Sequence, residues 1–262
     1  MHPSVELFGR EIPTYGLMAA AGLICGLLFV FFCARKYKLD AEDAAYMYTV
    51  GFLGCGVGAK VLYLLVTAKQ IAADIETYGF FPALIAHIQG GLVFYGGLLG
   101  AIAGAFLTAR CLKRDIREYY PALVPGIAIM AGFGRIGCFL TGCCYGAHTS
   151  SHLSVVYPEG GIAPAGVPLV PVQLYEAVFD FILVIVLIVL SAKIAGIRPH
   201  LLSVYCVSYA VFRFILEFWR ADDIRGLWGP FSTSQWISLL LIAFIAVKEV
   251  LNTRRKAGHQ AP

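Results

Sequence analysis

The sequence contains apolar runs close to the length that a helix needs to cross a lipid bilayer, about 20 residues. One of them extends from Ala177 to Leu190 and includes the string FDFILVIVLIVL. Hydrophobic residues make up 59% of the chain and charged residues 14%, whereas soluble domains contain about 45–50% and about 25%. The strands of a membrane β-barrel would alternate polar and apolar residues in pieces of about 10, unlike these continuous runs. The pattern therefore predicts an all-α, polytopic membrane protein.

Hydrophobic periodicity predicts seven transmembrane helices, numbered here as spans 1 to 7. The predicted spans are Tyr15–Ala34, Ala45–Thr67, Leu92–Ala109, Pro121–Leu140, Val172–Leu190, Leu201–Trp219 and Ser232–Leu251. The N-terminal string MHPSVELFGREIPTYG has no basic segment ahead of an apolar core, so it does not match a cleavable signal peptide. Span 1 is therefore expected to remain in the protein.

The positions of the cations predict how these spans are oriented. Thirteen of the twenty Lys and Arg residues lie at the ends of spans 1, 3, 5 and 7 or directly after them. Because Lys and Arg are enriched in cytoplasmic loops, the N-terminus is predicted to lie outside and the C-terminus in the cytoplasm. The formal net charge of +4 is small, and no nucleic-acid partner is expected.

The connections predict a single integral membrane domain that comprises residues 1–262. The two longest connections fall on the predicted outer side. The first is an arm at about 68–91, and the second is a Gly- and Pro-rich cap at about 142–171 with a strand-like patch at Leu153–Tyr157. Residues 252–262 are predicted to form a short, frayed cytoplasmic tail.

Charged side chains inside the predicted spans are the main functional signal, because each costs about 2.5–3.5 kcal/mol at the centre of a bilayer. Span 6 contains Arg213 and Glu217, and Arg220 follows its last residue. Their spacings of four and three place all three on one helical face if the helix continues through Arg220. Neutralisation of Arg213 by Glu217 inside the bundle is the purely structural interpretation of this pattern.

Further polar groups occur in spans 2, 4 and 5. Span 5 begins with Gln173, Glu176 and Asp180 at the same helical spacing, a stripe that fits either acid–base chemistry or pairing with neighbouring polar groups. Lys60, in span 2, can extend to the membrane interface or pair with Glu176. Arg135, in span 4, lies among glycines that allow a ligand or another backbone to approach closely.

The cationic side chains in and next to the predicted spans are more numerous than the acidic side chains near them. Arg135, Arg213, Arg220 and Lys60 together outnumber the acidic side chains of the same region, which indicates that an anion comes from elsewhere. Guanidinium groups match the oxygens of a phosphate bidentately, so a phosphate group is the expected ligand.

The glycine-rich string GGLVFYGGLLGA at 90–101 lacks the spacing of a dinucleotide-binding fingerprint. Its glycines predict that span 3 lies close to a lipid or to another helix. The phenol of Tyr95 then either points into the space so created or packs at the membrane interface.

Three of the eight cysteines, Cys138, Cys143 and Cys144, cluster near the predicted outer end of span 4. There is no CxxC pair, and adjacent cysteines have a poor spacing for structural zinc, so no metal is expected. A disulfide among them is an alternative if they face an oxidising exterior.

Five strings together resemble landmarks of the prolipoprotein diacylglyceryl transferase family, in the same order and at comparable spacing. They are TYGLM at 14–18, GGLVFYGGLLG at 90–100, GRIGCFLTGCCYG at 134–146, PVQLYE at 171–176 and FRFILEFWRADD at 212–223. The resemblance covers nearly the whole chain, and its most specific parts are the Gly-Arg-x-Gly string and the Arg–Glu–Arg segment. It implies a seven-helix enzyme of the bacterial inner membrane.

The resemblance also implies an activity. Such enzymes transfer the diacylglyceryl group of phosphatidylglycerol to the lipobox cysteine thiol of a prolipoprotein, forming a thioether and releasing glycerol phosphate. No cofactor or metal is implied, and the expected partners are phosphatidylglycerol, the prolipoprotein signal segment and the surrounding membrane lipid. Tyr15, Arg135, Gly146, Arg213, Glu217 and Arg220 match positions of the family motifs.

The residue patterns and the resemblance together predict one site. The predicted catalytic residues are Arg135, Arg213, Tyr95 and Glu217, and the predicted substrate-binding residues are Tyr15, Lys60, Cys138, Gly146, Gln173, Glu176 and Arg220.

Several positions depart from the family pattern. The family has Asn at the positions of Cys138 and Thr141, an acidic residue at Cys143, and His at those of Tyr95 and Val170. The histidine that is the usual candidate to accept the thiol proton is therefore missing.

A phenol with a pKa near 10 accepts a thiol proton less readily than an imidazole does. Tyr95 can act as the base only if its surroundings favour loss of the phenol proton, and otherwise it only positions the substrate. Glu217 is the expected substitute base. Three functions remain open: a divergent transferase acting on prolipoproteins, a paralogue that moves a phospholipid-derived group to another acceptor, and a non-enzymatic phospholipid-binding protein.

Overall fold

The computed structural model describes residues 4–7, 9–159, 162–220 and 227–258, and its described elements are mostly helical. The helices are α1 (Thr14–Lys36), α2 (Ala41–Val66), α3 (Ala68–Tyr78), α4 (Phe80–Gln89), α5 (Phe94–Cys111), α6 (Ile116–Thr141), α7 (Val172–Lys193), α8 (Leu201–Leu216) and α9 (Thr233–Gly258). The strands form three antiparallel pairs: β1 (Ser4–Leu7) with β2 (Arg10–Pro13), β3 (Val155–Val156) with β4 (Pro168–Leu169), and β5 (Leu227–Trp228) with β6 (Phe231–Ser232). The predicted all-α class is confirmed.

Six helical segments among the described residues are long and apolar enough to cross a membrane. They are Thr14–Lys36, Ala41–Val66, Ile116–Thr141, Val172–Lys193, Ala195–Trp219 and Thr233–Asn252. The Ala195–Trp219 segment contains α8 flanked by two short 3₁₀ turns. The predicted span Leu92–Ala109 corresponds to α5, which has 18 residues and is not among these six. The chain is thus a multi-pass helical membrane protein.

The two faces of α7 show how such a helix divides its side chains. Val178, Ile182 and Ile185 recur at helical spacing and are 54–62% exposed, as expected of a surface that contacts lipid. On the opposite face, Glu176 and Asp180 are fully buried. The polar stripe predicted in span 5 therefore faces the protein interior, where charged side chains of a transmembrane helix are normally found.

Helix ends differ from the predictions where capping residues act. Helix α2 begins at Ala41, four residues before the predicted start at Ala45. The carboxylate of Asp40 caps it by accepting hydrogen bonds from the N–H groups of Glu42 and Asp43. Asp115 similarly accepts an N–H in the first turn of α6, so that helix starts at Ile116 and contains Pro121 in its interior.

The predicted tail at 252–262 also differs from the structure. Helix α9 continues to Gly258, since the Arg-Arg-Lys-Ala sequence has high helix propensity. Residues 259–262 lie outside the described part of the chain, as do residues 160–161 of the predicted cap and 221–226.

The chain divides into two compact units, Met1–Gly26 with Ile127–Pro262, and Leu27–Gly126. In the first unit, the connection between α6 and α7 contains the β3–β4 pair and a small apolar cluster of Tyr157, Ala163 and Leu169. The strand β3 lies within the strand-like patch predicted from the sequence.

In the second unit, α2 and α5 pack backbone against backbone through glycines. A Cβ atom added at Gly100 would overlap the carbonyl group of Gly54, and one added at Gly96 would overlap that of Gly58. The expectation that the glycine-rich string allows close approach of another helix is confirmed.

Gly100→Ala should destabilise the protein by about 1–3 kcal/mol, the usual cost of inserting a methyl group where no space exists. Differential scanning fluorimetry of the purified protein should show a clearly lower melting temperature. The matched control is Gly56→Ala on α2, where an added Cβ meets no atom within 4 Å. Equal melting temperatures for the two variants would contradict the close packing of α2 and α5.

Candidate active site

Three arginines from different parts of the first unit converge on one carboxylate, that of Glu176 in α7. The Nε atom of Arg135, on α6, lies 3.2 Å from Glu176 Oε2. The Nη1 atom of Arg213, on α8, lies 3.4 Å from Glu176 Oε1, and the Nη1 atom of Arg220 lies 3.9 Å from Oε2. The predicted arginine cluster therefore exists, and Glu176 is at its centre.

Glu217 is the second carboxylate of the cluster. Its Oε2 atom lies 2.9 Å from Arg213 Nη2, one helical turn away as the sequence spacing predicted. Its Oε1 atom accepts a hydrogen bond from Ser232 Oγ at 2.9 Å. Arg213 also donates to Ser234 Oγ at 3.5 Å. Glu217 thus fixes the orientation of the Arg213 guanidinium.

The position of Arg220 corrects the prediction of a continuous helical face. Helix α8 ends at Leu216, a 3₁₀ turn follows, and Arg220 has an extended backbone. Arg220 pairs instead in a β-bridge with Gly146. Arg220 is consequently brought to the cluster by a loop–loop contact, which helical spacing cannot reveal.

Gly146 is needed at this bridge for steric reasons. Its N–H donates to the carbonyl of Val170, and the next N–H donates to the carbonyl of Trp219. A Cβ atom at Gly146 would lie 2.6 Å from the first of these oxygens and 2.7 Å from the second. A larger residue would therefore displace the segment that carries Arg220.

Burial and charge distinguish the three arginines. The side chain of Arg135 is 22% exposed, compared with 10% for Arg213 and 2% for Arg220. Within the described part of the chain, their ion pairs involve only two carboxylates, those of Glu176 and Glu217. Asp180 is buried one turn below Glu176, and neither of its carboxyl oxygens has a hydrogen-bond partner among the described residues.

Two predicted binding residues of the first unit contact α6 or the segment that follows it. The ring of Tyr15 lies over Gly137, where an added Cβ would come within 3.0 Å of Cδ2. The buried amide of Gln173 donates to the carbonyl of Cys143 at 2.7 Å and to the hydroxyl of Tyr157 at 3.1 Å. Gln173 therefore holds the segment that follows α6.

The thiols of Cys138, Cys143 and Cys144 also lie together, with their sulfur atoms all within 4.8 Å of one another. All three are free, so the disulfide considered from the sequence is not formed in the structure. Hydrogen bonds with Cys138 and Cys143 lower the pKa of the Cys144 thiol below its ordinary value, and the charges of Arg220 and Arg135 contribute in the same direction.

Lys60 and Tyr95 belong to the second unit. The ammonium group of Lys60 donates to three backbone carbonyls, those of Gly90 at 2.8 Å, Gly91 at 3.1 Å and His87 at 3.3 Å. This arrangement joins α2 to the end of α4. Tyr95, near the start of α5, is 47% exposed.

Some polar residues of both units were not predicted from the sequence. The hydroxyl of Tyr209 accepts a hydrogen bond from Arg135 Nη2 at 3.1 Å, and its place four residues before Arg213 on α8 was a usable signal. His87 is nearly buried and bridges Asp74, at 2.8 Å, and the hydroxyl of Tyr63, at 3.3 Å. No periodic pattern marks these longer-range pairs.

The fold and the site define a multi-pass helical membrane protein with a buried cluster of arginines and carboxylates. The sequence model of the family described as prolipoprotein diacylglyceryl transferase matches residues 4–250. The chain belongs to this family and is a transferase.

Individual relatives agree with the family match over nearly the full chain. Phosphatidylglycerol–prolipoprotein diacylglyceryl transferase 2 of Clostridium perfringens is 37% identical over 260 residues, which are 97% of this chain and 98% of the relative. The Clostridium tetani enzyme of the same name, without a number, is 35% identical over 90% of this chain and 92% of its own length. The Geobacter sulfurreducens enzyme is 32% identical over 95% and 94%, respectively.

Proposed function

We propose that this protein transfers the diacylglyceryl group of phosphatidylglycerol to the lipobox cysteine of prolipoproteins in the bacterial inner membrane. Its family and the names of its relatives support this activity. The structural observation that carries the proposal is the convergence of three guanidinium groups on Glu176, whose side chain is fully buried. Such a cluster is costly to bury, which indicates that its positive charge has a function. Binding of an anionic headgroup is a function that requires this charge.

In the proposed reaction, the substrate thiol gives up its proton and the thiolate attacks the carbon of the diacylglyceryl unit that is bonded to the phosphate oxygen. A carbon–sulfur bond forms, the carbon–oxygen bond to phosphate breaks, and glycerol phosphate leaves with the electron pair. Negative charge therefore grows on the phosphate as the bond breaks. Fixed guanidinium groups in a site that excludes water stabilise this charge and hold the headgroup in position.

Arg135 is the arginine best placed to contact the phosphate in this proposal. A guanidinium has five N–H donors. Among the described residues, Arg135 pairs through Nε with Glu176 and through Nη2 with Tyr209, so further donors are available for a ligand. Its side chain is also the most exposed of the three. Arg213 and Arg220, which are more deeply buried, supply positive potential behind it.

The acceptor of the thiol proton is proposed from two residues, Tyr95 and Glu217. Both oxygens of Glu217 already accept hydrogen bonds or ion pairs, from Ser232 and Arg213. Protonation of Glu217 would therefore weaken its hold on Arg213. These contacts favour Glu217 as the residue that positions Arg213 and leave Tyr95 as the remaining candidate for the proton acceptor.

Tyr95→Phe should reduce the turnover number by about 10²-fold or more with little change in affinity for phosphatidylglycerol, because general-base assistance typically contributes about 10²–10⁴-fold. Glu217→Gln should weaken both turnover and lipid affinity, since it loosens Arg213. Steady-state kinetics with varied lipid concentration separates the two effects. Unchanged turnover in Tyr95→Phe would remove the phenol from the mechanism.

The proposed membrane topology has seven spans, with α5 as the span additional to the six apolar segments. At about 1.5 Å per residue, its 18 residues extend about 27 Å, close to the thickness of the hydrocarbon core. The distribution of Lys and Arg supports an outer N-terminus, a cytoplasmic C-terminus and an outer cap at 142–171. Both substrates are membrane-anchored, so we propose that they enter laterally from the bilayer.

A transfer assay tests the proposed function. Purified protein in micelles that contain phosphatidylglycerol should add a diacylglyceryl mass to a lipobox peptide and release one glycerol phosphate per modified peptide. A peptide with Ser in place of the lipobox cysteine is the control. If glycerol phosphate is released while the peptide stays unmodified, the protein transfers the lipid group to an acceptor other than a prolipoprotein. Lipid binding without any release of glycerol phosphate would contradict enzymatic transfer.

A further inference from the structure

The end of α6 brings two cysteine thiols together through its capping geometry. Gly142 adopts a left-handed backbone conformation with φ of 73°. The N–H of Gly142 donates to the carbonyl of Phe139, and that of Cys143 donates to the carbonyl of Cys138. These are the two hydrogen bonds of a Schellman cap, which folds residue 143 back beside residue 138. Cys138 and Cys143 are therefore neighbours in space although five positions separate them.

A third thiol joins them because of an unusual backbone conformation. Cys144 has φ of 58°, a region that side chains other than glycine seldom adopt and that costs about 1–2 kcal/mol. Gln173, which is fully buried, fixes the carbonyl of the preceding residue, Cys143. The strained conformation is thus held by its surroundings, which is a frequent property of functional sites.

The three sulfur atoms form a set suitable for a soft metal ion. They lie within 4.8 Å of one another and belong to partly exposed side chains, so an ion can reach them. Three thiolates around one ion would be separated by about 4.0 Å if the metal–sulfur distance is about 2.3 Å. Shifts of less than about 1 Å, within the range of side-chain rotation, would bring them to that geometry.

We propose that Cys138, Cys143 and Cys144 form a binding site for a single soft, thiophilic metal ion, with Cu(I) as its preferred occupant. Thiolate ligands select soft ions such as Cu(I), and three sulfur ligands satisfy its coordination. Structural zinc normally takes four ligands, so Zn²⁺ should bind less tightly here. The guanidinium groups of Arg220 and Arg135 are close enough to interact electrostatically with Cys144, and they offset the negative charge of a tris-thiolate complex.

This inference does not depend on the proposed transfer reaction, in which the reacting thiol belongs to the substrate. It adds a ligand site at the junction between α6 and the segment that carries Gly146. A bound ion would cross-link the end of α6 to that segment and restrict its motion. It also gives Cys143 and Cys144 a role, since neither is among the residues predicted for the transfer reaction.

Anaerobic titration of the reduced, purified full-length protein with Cu(I) in the presence of bicinchoninate tests the site. We expect one Cu(I) per chain to be withdrawn from the coloured chelator complex, with a rise in the melting temperature of the protein. Cys138→Ser, Cys143→Ser and Cys144→Ser should each weaken binding by about 100-fold or more, since even residues that only support metal ligands contribute about 10–100-fold.

Cys206→Ser is the matched control, because Cys206 is a partly exposed free cysteine on α8 outside the cluster, and it should bind Cu(I) as the wild type does. The same titration with Zn²⁺ should show weaker binding. Several results would overturn the proposal: no withdrawal of Cu(I), equal loss in the control, or undiminished binding in the three Ser variants. Formation of a disulfide that consumes two of these thiols in the reduced, anaerobic protein would also overturn it.

Discussion

Arg135→Ala should reduce diacylglyceryl transfer by about 100- to 1,000-fold, the typical cost of removing one donor to a developing transition-state charge. The side chain of Arg135 is the most exposed arginine of the cluster, and Glu176 and Tyr209 fix its orientation. In the proposed reaction, its loss removes both a contact to the leaving phosphate and part of the positive potential around it. Release of glycerol phosphate with a lipobox peptide measures the effect.

Two further variants show whether the effect belongs to the site. Tyr209→Phe deletes only the hydrogen bond that orients Arg135 and should reduce transfer by about 10- to 100-fold, since a hydrogen bond to a charged group contributes about 1.5–3 kcal/mol. Arg110→Ala removes an arginine at the end of α5 that contacts the ring of Phe106, and it should transfer as the wild type does. Wild-type turnover in Arg135→Ala would contradict the assigned role.

Glu176→Gln should cause the largest loss of stability of any change in the cluster. Glu176 is fully buried and pairs with three guanidinium groups. Removing one partner of a buried ion pair typically costs about 3–5 kcal/mol, because the remaining charges are left uncompensated. We expect the melting temperature to fall by roughly 10 °C, measured by differential scanning fluorimetry in detergent.

Added phosphatidylglycerol should partly restore the stability of Glu176→Gln, since its phosphate replaces the lost negative charge. The lipid should therefore raise the melting temperature of this variant more than that of the wild type. Glu76→Gln is the control, because Glu76 is an exposed carboxylate on α3, and it should melt as the wild type does. A Glu176→Gln protein that is as stable as the wild type would show that the cluster does not depend on this charge.

The helices could be predicted from the sequence, because a long apolar segment in a membrane can form all its backbone hydrogen bonds internally only as an α-helix. The sequence also predicted the contact between Arg213 and Glu217, which depends only on helical spacing. The contact between Arg135 and Glu176 joins two helices and has no local signal, and sequence reasoning instead considered Lys60 as a partner of Glu176. Lys60 donates to backbone carbonyls of its own unit.

The cysteine cluster shows a different limit of sequence reasoning. From the sequence no metal was expected at this cluster, because it has no CxxC pair and the adjacent Cys143 and Cys144 have a poor spacing for structural zinc. Cys138 and Cys143 nevertheless lie close together in the structure. Their proximity follows from the left-handed conformation of Gly142 and the Schellman cap that it completes. The available signal in the sequence was Gly142, which directly precedes Cys143 at the end of a predicted helix. Glycine at such a position predicts a helix cap that folds the chain back, and no metal-binding motif contains this information.

The most direct test of the arginine cluster is a measurement of phosphatidylglycerol binding by native mass spectrometry. The wild type and Arg110→Ala should each retain one bound phosphatidylglycerol. Arg135→Ala should bind it about 10- to 100-fold more weakly, since a hydrogen bond to a charged group contributes about 1.5–3 kcal/mol. Equal retention of the lipid by all three proteins would contradict the claim that these arginines bind the phospholipid phosphate.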